Sequence, residues 1–468
     1  MRRIITIVSV LCSLSQAVEG QSNLFIATSD FSTGSTALLP SGADRADVNL
    51  LGIHSDAVVR YHGDRIYVVN RLGQDNIIVL DAADARTPLV QFSVGNGANP
   101  QDIAVVAPDK AYIALYERSE LLIVDPRDGS ERGRVDLSAF ADGDGLPEIA
   151  DLVHVGSYLY ASCQRLDRNG TWGPADDSFL AVIDIEGDEL VDVDSERDGI
   201  QGILLSAANP NNLIAVGQRI VVSGSAHFGD RQGGIELIDT QRNRSLGRII
   251  GEEALGGDLN GIALVDGDRG FAIVSDETFT NYVRPFNLRS GEVGPALQDL
   301  SGGYIPDIAV DGDRLIVADQ GSFSDPSSAG LKIFDAFSNE LRSGPISTGL
   351  PPVSIAVLSD AAVRPTAIVE TQAALPEWSA LGNGYPNPFN ASIAVPFTLD
   401  RDIHVRLVVL DILGRAVRTL QDGLLPAGSY SALWNGRDAD GRQMGNGTYL
   451  VRLSTESMRE TTKVMLIK

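Results

Sequence analysis

The chain is 468 residues long, 43% hydrophobic and 21% charged, so it has apolar material for packed domains and is not globally disordered. Its formal net charge of -25 argues against nucleic acid and against an anionic membrane as partners. With 48 glycines and only short apolar runs, the composition favours strands and turns over long helices.

Met1-Arg2-Arg3, the apolar run Ile4 to Leu14 and the small residues around Ala17 and Gly20 read as a cleaved signal peptide over residues 1–20. The run is too short for a permanent membrane helix. Cys12 is the position a lipoprotein would acylate, but Leu11 stands before it where a small residue is wanted. Cleavage leaves Cys163 as the remaining thiol, so the mature fold rests on packing rather than on a disulfide. No later apolar stretch reaches about 18 residues, and no transmembrane segment is expected.

Over residues 23–360 a short strand recurs, as Asp56-Ala57-Val58-Val59, Asp102-Ile103-Ala104-Val105, Asp151-Leu152-Val153-His154 and Asn212-Leu213-Ile214-Ala215. It continues as Gly261-Ile262-Ala263-Leu264, Asp307-Ile308-Ala309-Val310 and Ser354-Ile355-Ala356-Val357. The spacing is roughly 46 to 49 residues in five of six steps and about 61 in the other, and a period in the forties with four short strands per unit marks a β-propeller. A tight hairpin follows the first strand, as at Gly63-Asp64-Arg65 and Gly312-Asp313-Arg314. The third strand ends on an acid that opens a turn, as at Asp81, Asp125, Asp184, Asp239 and Asp335.

Seven first strands predict seven blades. The N-terminal segment is expected to lend three strands to the last blade and 354–358 its innermost one, a closure that removes two open sheet edges. The Ile-x-Val-Ile/Leu-Asp and Gly-Asp-Arg patterns resemble those of seven-bladed YVTN/LVIVD-type bacterial propellers. That resemblance implies the fold, while its superfamily mixes lactonases, binding scaffolds and surface proteins.

Residues 361–382, with Pro365, Pro376 and several alanines, read as a linker. From 383 to 468 come Tyr385-Pro386-Asn387-Pro388-Phe389-Asn390, Asp411-Ile412-Leu413-Gly414-Arg415, Leu425-Pro426-Ala427-Gly428, Trp434-Asn435-Gly436-Arg437-Asp438, Gly447-Thr448-Tyr449 and Lys463 to Lys468. Six or seven alternating strands in about 85 residues suit an Ig-like sandwich, which makes the whole chain all-β. The motif series resembles the FlgD-like Ig domain found as the C-terminal (type A) sorting domain of type IX-secreted bacterial proteins. The resemblance implies outer-membrane secretion machinery as a partner and a secreted or cell-surface location. It also implies sorting roles for Pro386, Asn387, Pro388, Phe389, Asn390, Gly414, Gly428, Gly447, Lys463 and Lys468, although the three glycines suit turns as well. From Asn383 on there are ten Lys/Arg against eight Asp/Glu, so the acidity lies upstream.

Propeller ligands bind at the mouth of the central channel, where the loops entering the innermost strands converge. The candidates there are His54, Asp102, Glu148, Asn211, Asn260 and Asp307. A lactonase-like hydrolase would hold a divalent cation with such residues to polarise a carbonyl and activate water; turn capping alone would also place Asp and Asn at strand entries. Asp142-Gly143-Asp144-Gly145 with Glu148 is a candidate calcium cluster, oxygen ligands around flexible glycines. Asp192 to Asp198 alternates like half an EF-hand loop but lacks the closing Glu. Scattered histidines argue against zinc, and no nucleophile elbow, phosphate loop or dinucleotide fingerprint is present. Cys163 reads as a small core residue, and Trp172 and Phe228 as loop aromatics able to form a binding patch for sugar or peptide. The expectation is an exported or surface non-enzymatic propeller that binds a ligand or partner; the alternative is metal-assisted hydrolysis.

Overall fold

A computed structural model describes residues 21–168, 170–322 and 324–359, then 380–381, 389, 393–399, 401, 403–412, 414–425, 428–439, 441–455 and 458–467. The signal peptide over 1–20, nearly all of the linker, Pro386, Asn387, Pro388, Asn390 and Lys468 lie outside the described residues. Strand accounts for 55% and helix for 3%, which makes the protein all-β.

Among the described residues up to Leu358 there are seven small antiparallel sheets. In the first complete one, Ala57–His62, Arg65–Asn70, Asn76–Asp81 and Asp84–Ser93 pair in sequence order. The pattern of a short first strand, a tight hairpin and two to four further strands repeats from Pro100–Ala107, Ile149–Val155, Pro210–Val216, Asp258–Leu264 and Ile308–Asp311. The last sheet joins the chain's two ends. Its first strand is Pro352–Leu358, which pairs with Asn23–Ser29, then Gly34–Leu39 and Gly52–Ile53. Phe25 lies opposite Ala356 and Ile26 opposite Ile355.

The core is distributed between sheets. Seven apolar clusters each draw on two successive sheets, and the seventh returns to the start. One packs Tyr67, Val69 and Ile77 against Ile103, Ile113 and Leu122. The closing one packs Phe25, Ala27 and Ala356 against Val59, Ile66 and Val68. The first strands neighbour one another around the same circuit, so the arrangement is a closed ring of sheets. Second strands are sandwiched on both faces, which is why they read as unbroken apolar runs. In Arg65–Asn70 the five residues after the arginine are all buried. Outer strands alternate and face solvent, as in Asp84–Ser93, where Pro88 is tolerable because nothing pairs beyond it. At the hairpins Gly63, Gly156, Gly217 and Gly312 all take φ between 59 and 63, the left-handed region that two-residue turns demand.

The C-terminal part is a sandwich of two sheets. One pairs Ala380–Leu381, Ile393–Leu399 and Gly428–Trp434; the other pairs Ala416–Leu425, Ile403–Leu410, Gly447–Ser454 and Arg459–Leu466. Their inner faces meet around fully buried Trp434, whose Nε1 donates to Arg437 O at 2.9 Å. Three arginines link this sandwich to the hairpin end of the ring. Arg418 lies 3.5 Å from Asp266, Arg437 lies 3.6 Å from Asp313, and Arg289 Nη1 donates to Asp422 O at 3.4 Å. The Arg437 guanidinium also sits over the Phe337 ring, 5.3 Å from its centroid.

Candidate binding site at the channel mouth

Counting back five residues from the hairpin glycine sets the first strands in register, with Val58, Asp151, Asn212 and Asp307 equivalent. Asp102, Gly261 and Ser354 occupy the same place in their sheets. Each side chain with an acceptor reaches to the next sheet. Leu152 N donates to Asp102 Oδ2 at 2.9 Å, Leu213 N to Asp151 Oδ2 at 2.6 Å, and Ile355 N to Asp307 Oδ2 at 2.7 Å. Ile262 N donates to Asn212 Oδ1 at 3.0 Å and Val59 N to Ser354 Oγ at 3.3 Å. Five of the seven junctions are bridged in this way. The other two start from Val58 and Gly261, which offer no side-chain acceptor.

Arg60 stands two residues beyond Val58 in the same strand. The matching positions elsewhere are Ala104, Val153, Ile214, Ala263, Ala309 and Ala356, so Arg60 is the one cation in that layer. Its Nε donates to Asp102 Oδ1 at 2.6 Å, its Nη2 lies 3.8 Å from Asp151, and its Nη1 donates to Val59 O. The channel encloses about 370 Å³, with Arg60, Asp102, Asp151 and Asp307 along its wall. Burial pushes the Asp307 carboxyl up to about 6 and that of Asp151 well above the usual carboxylate range, while the acids around Arg60 raise its already high pKa further. The arrangement is a guanidinium braced by backbone-bonded carboxylates.

The remaining candidates are engaged locally. His54 Nδ1 accepts from Asp56 N at 3.2 Å, and the His54 backbone N–H donates to Asn70 Oδ1. Asn211 Oδ1 accepts from Ser223 Oγ, and Asn260 Nδ2 donates to Ser275 Oγ at 2.6 Å. Glu148 is fully buried at φ 46; Oε2 accepts from Leu166 N at 3.0 Å, while Oε1 has no hydrogen-bond partner and lies 3.9 Å from Arg168. Burial pushes its carboxyl up to about 7, the nearby Asp144 and Asp142 adding to the rise. Asp142 and Asp144 form successive turns, each accepting from a backbone N–H two residues on. Among the described residues no three His, Cys, Asp or Glu side chains are grouped to hold a metal ion, the calcium candidates Asp142, Asp144 and Glu148 included. Cys163 is buried and its thiol is pushed up to about 12.

Sequence reasoning missed Arg60 and Asn212. Asp56 looks equivalent to Asp102 because Asp-x-x-Val recurs, yet it lies two residues further out, salt-bridged to Arg71. The five-residue count back from the glycine is the signal that separates them.

In the sandwich, Phe389 packs against Trp434 at 5.4 Å between ring centroids and bonds through its backbone to Met465 and Ile467. Gly414 turns the hairpin after Asp411 at φ 77, Gly428 and Gly447 open strands, and Lys463 pairs opposite Leu450. No helix among the described residues is long and apolar enough to cross a membrane.

The fold and site define an all-β protein of propeller type with an Ig-like C-terminal part. Residues 389–458 match the FlgD Ig-like domain family. No curated protein matches the chain. Among solved structures, a protein from Lactobacillus plantarum is 17% identical, covers 72% of this chain and 100% of its own, and superposes with a TM-score of 0.52. The periplasmic gluconolactonase PpgL of Pseudomonas aeruginosa is 14% identical, with 72% and 99% covered and a TM-score of 0.49. PorZ, a surface component of the type-IX secretion system of Porphyromonas gingivalis, is 14% identical, with 93% and 63% covered and a TM-score of 0.44.

Proposed function

We propose that this is an exported, secreted or cell-surface protein without catalytic activity. Its seven-bladed propeller binds a ligand or partner, and its C-terminal FlgD-like Ig domain sorts or anchors it through outer-membrane secretion machinery. The observation that carries the binding reading is the use already made of the channel acids. Asp102, Asp151 and Asp307 each accept a backbone N–H of the next sheet, and the first two also face Arg60. A hydrolase of the lactonase kind needs several oxygen ligands about 2.3–2.6 Å from one cation, and a guanidinium occupies the point between Asp102 and Asp151. The match over 389–458 supports the sorting reading.

The binding reading is tested by following thermal unfolding and turnover of a model lactone in calcium and in EDTA. Unchanged melting and no turnover are expected; calcium-dependent lactone hydrolysis overturns it. For the sorting reading, removal of residues 459–468 should leave the protein in the periplasm. Undiminished surface display of that truncation rejects it.

A further inference from the structure

The loops joining second to third strands lie at the same end of the sheets as the entries to the inner strands, and so surround the channel mouth. Five of them end in a large apolar side chain held out to solvent. These are Phe31, Leu72, Trp172, Phe228 and Phe279, with Phe31 and Phe279 each 70% exposed. Four of the five take a left-handed backbone: Phe31 at φ 67, Leu72 at φ 45, Trp172 at φ 57 and Phe279 at φ 61. Bulky residues are outliers there, because the Cβ crowds the backbone. Strain and exposure thus coincide at equivalent places in separate repeats, where a glycine or asparagine would relieve both.

The surroundings specify what these tips fit. Asp30 accepts from Thr33 N at 2.7 Å and Ser32 N at 2.9 Å, and Asp276 accepts from Thr278 N and Thr280 N. The Thr278 hydroxyl, donating to Asp276 at 2.7 Å, adds to those bonds, and together they hold both carboxyls below the usual range, so a fixed negative charge underlies Phe31 and Phe279 at neutral pH. Phe228 and Phe279, from neighbouring sheets, stack at 4.8 Å and 8°. On the same face the guanidinium of Arg168 already lies over Trp172 at 5.5 Å and Tyr116 at 5.9 Å, which demonstrates cation–aromatic contact within the chain. Tips carried by five separate sheets offer several anchors around the mouth rather than one enclosed pocket for a single sugar.

We infer that the mouth face of the propeller is a docking surface for a basic polypeptide segment, whose Lys and Arg stems lie on the apolar tips while their charges meet Asp30 and Asp276 at the bases of the Phe31 and Phe279 loops. The inference deepens the binding reading proposed above and rests on it.

The test is fluorescence anisotropy at about 0.15 M salt, where only charges within ~8 Å act strongly. The whole exported chain is titrated into a labelled peptide repeating Lys-Leu-Gly, with a Glu-Leu-Gly repeat as control. The Lys peptide should bind and the Glu peptide should not. Phe31→Asn, Trp172→Asn and Phe279→Asn leave net charge unchanged; combined, they should weaken binding about tenfold or more, with melting temperature held or raised as strain is relieved. Asp30→Asn with Asp276→Asn keeps the loop acceptors and should weaken binding on its own, which covers failure of the triple variant to fold. Equal binding by wild type and the triple variant overturns the inference, because net charge alone then accounts for it. So does tip-dependent binding of neutral phosphatidylcholine vesicles or of a neutral glycan in place of the peptide. No peptide binding together with no lactone turnover sinks this inference and leaves the broader binding reading standing, whereas lactone turnover sinks that reading itself.

Discussion

Glu148 combines complete burial, a left-handed backbone and a carboxylate oxygen without a hydrogen-bond donor. Desolvation raises its folded-state pKa to about 7, above the value near 4.3 expected for an unfolded chain. Between those two values the folded protein holds a proton that the unfolded chain has released, so this group's contribution to stability falls as pH rises from about 4.3 to 7. Glu148→Gln is therefore expected to raise stability at pH 8 by about 2 kcal/mol and to flatten the pH dependence of the melting temperature between pH 5 and 7. Thermal melts across that range check it; a Gln variant that melts lower at pH 8 and keeps the slope contradicts it. Legibility at this scale was uneven. Asp102 and Asp307 stand out as acids recurring at strand entries. Arg60 does not, because one charge in a short strand reads as a solvated face until six apolar neighbours enclose it. The strain at Glu148, Phe31 and Phe279 leaves no mark in residue type, since Glu and Phe, unlike Gly or Asn, do not signal a positive φ.

Among the elements, the first strands are joined twice, through the apolar clusters between sheets and through the polar bridges lining the channel. Asp307 separates the two contributions. Asp307→Ala removes the acceptor of Ile355 N and leaves a buried donor unpaired, a loss of about 1–3 kcal/mol. Asp307→Asn keeps an acceptor and removes a charge whose pKa burial has raised, so it should be neutral or slightly stabilising at pH 8. Denaturant unfolding of both variants tests the bridge, and equal loss in the two would show that charge rather than the backbone bond matters. The all-β class was readable because sandwiched second strands must be unbroken apolar runs and hairpins must contain residues tolerant of positive φ. The register was harder. Asp56 and Asp102 share a local pattern, and only the fixed distance to Gly63 shows that Val58 holds the bridging position.

For the molecule as a whole, the contacts between the ring and the C-terminal sandwich among the described residues include three made by arginines. Arg418 and Arg437 reach Asp266 and Asp313 across gaps of 3.5 and 3.6 Å, partly open to solvent. Such pairs are each worth about 0–1 kcal/mol and weaken with salt. Arg418→Ala with Arg437→Ala is expected to increase the radius of gyration measured by small-angle scattering without changing the melting of either part. High salt should do the same to the wild type, and an unchanged radius in both experiments would mean that other contacts fix the arrangement. The pairing of Phe25 with Ala356 carries a consequence in time rather than in space. The partners are 331 residues apart in the chain. At about 5–20 residues per second, a ribosome needs roughly 17–66 s to deliver the second after the first. Until then Asn23–Ser29 has an unsatisfied edge and the circuit stays open, so the growing chain must be sheltered from aggregation until its last propeller strand has been made.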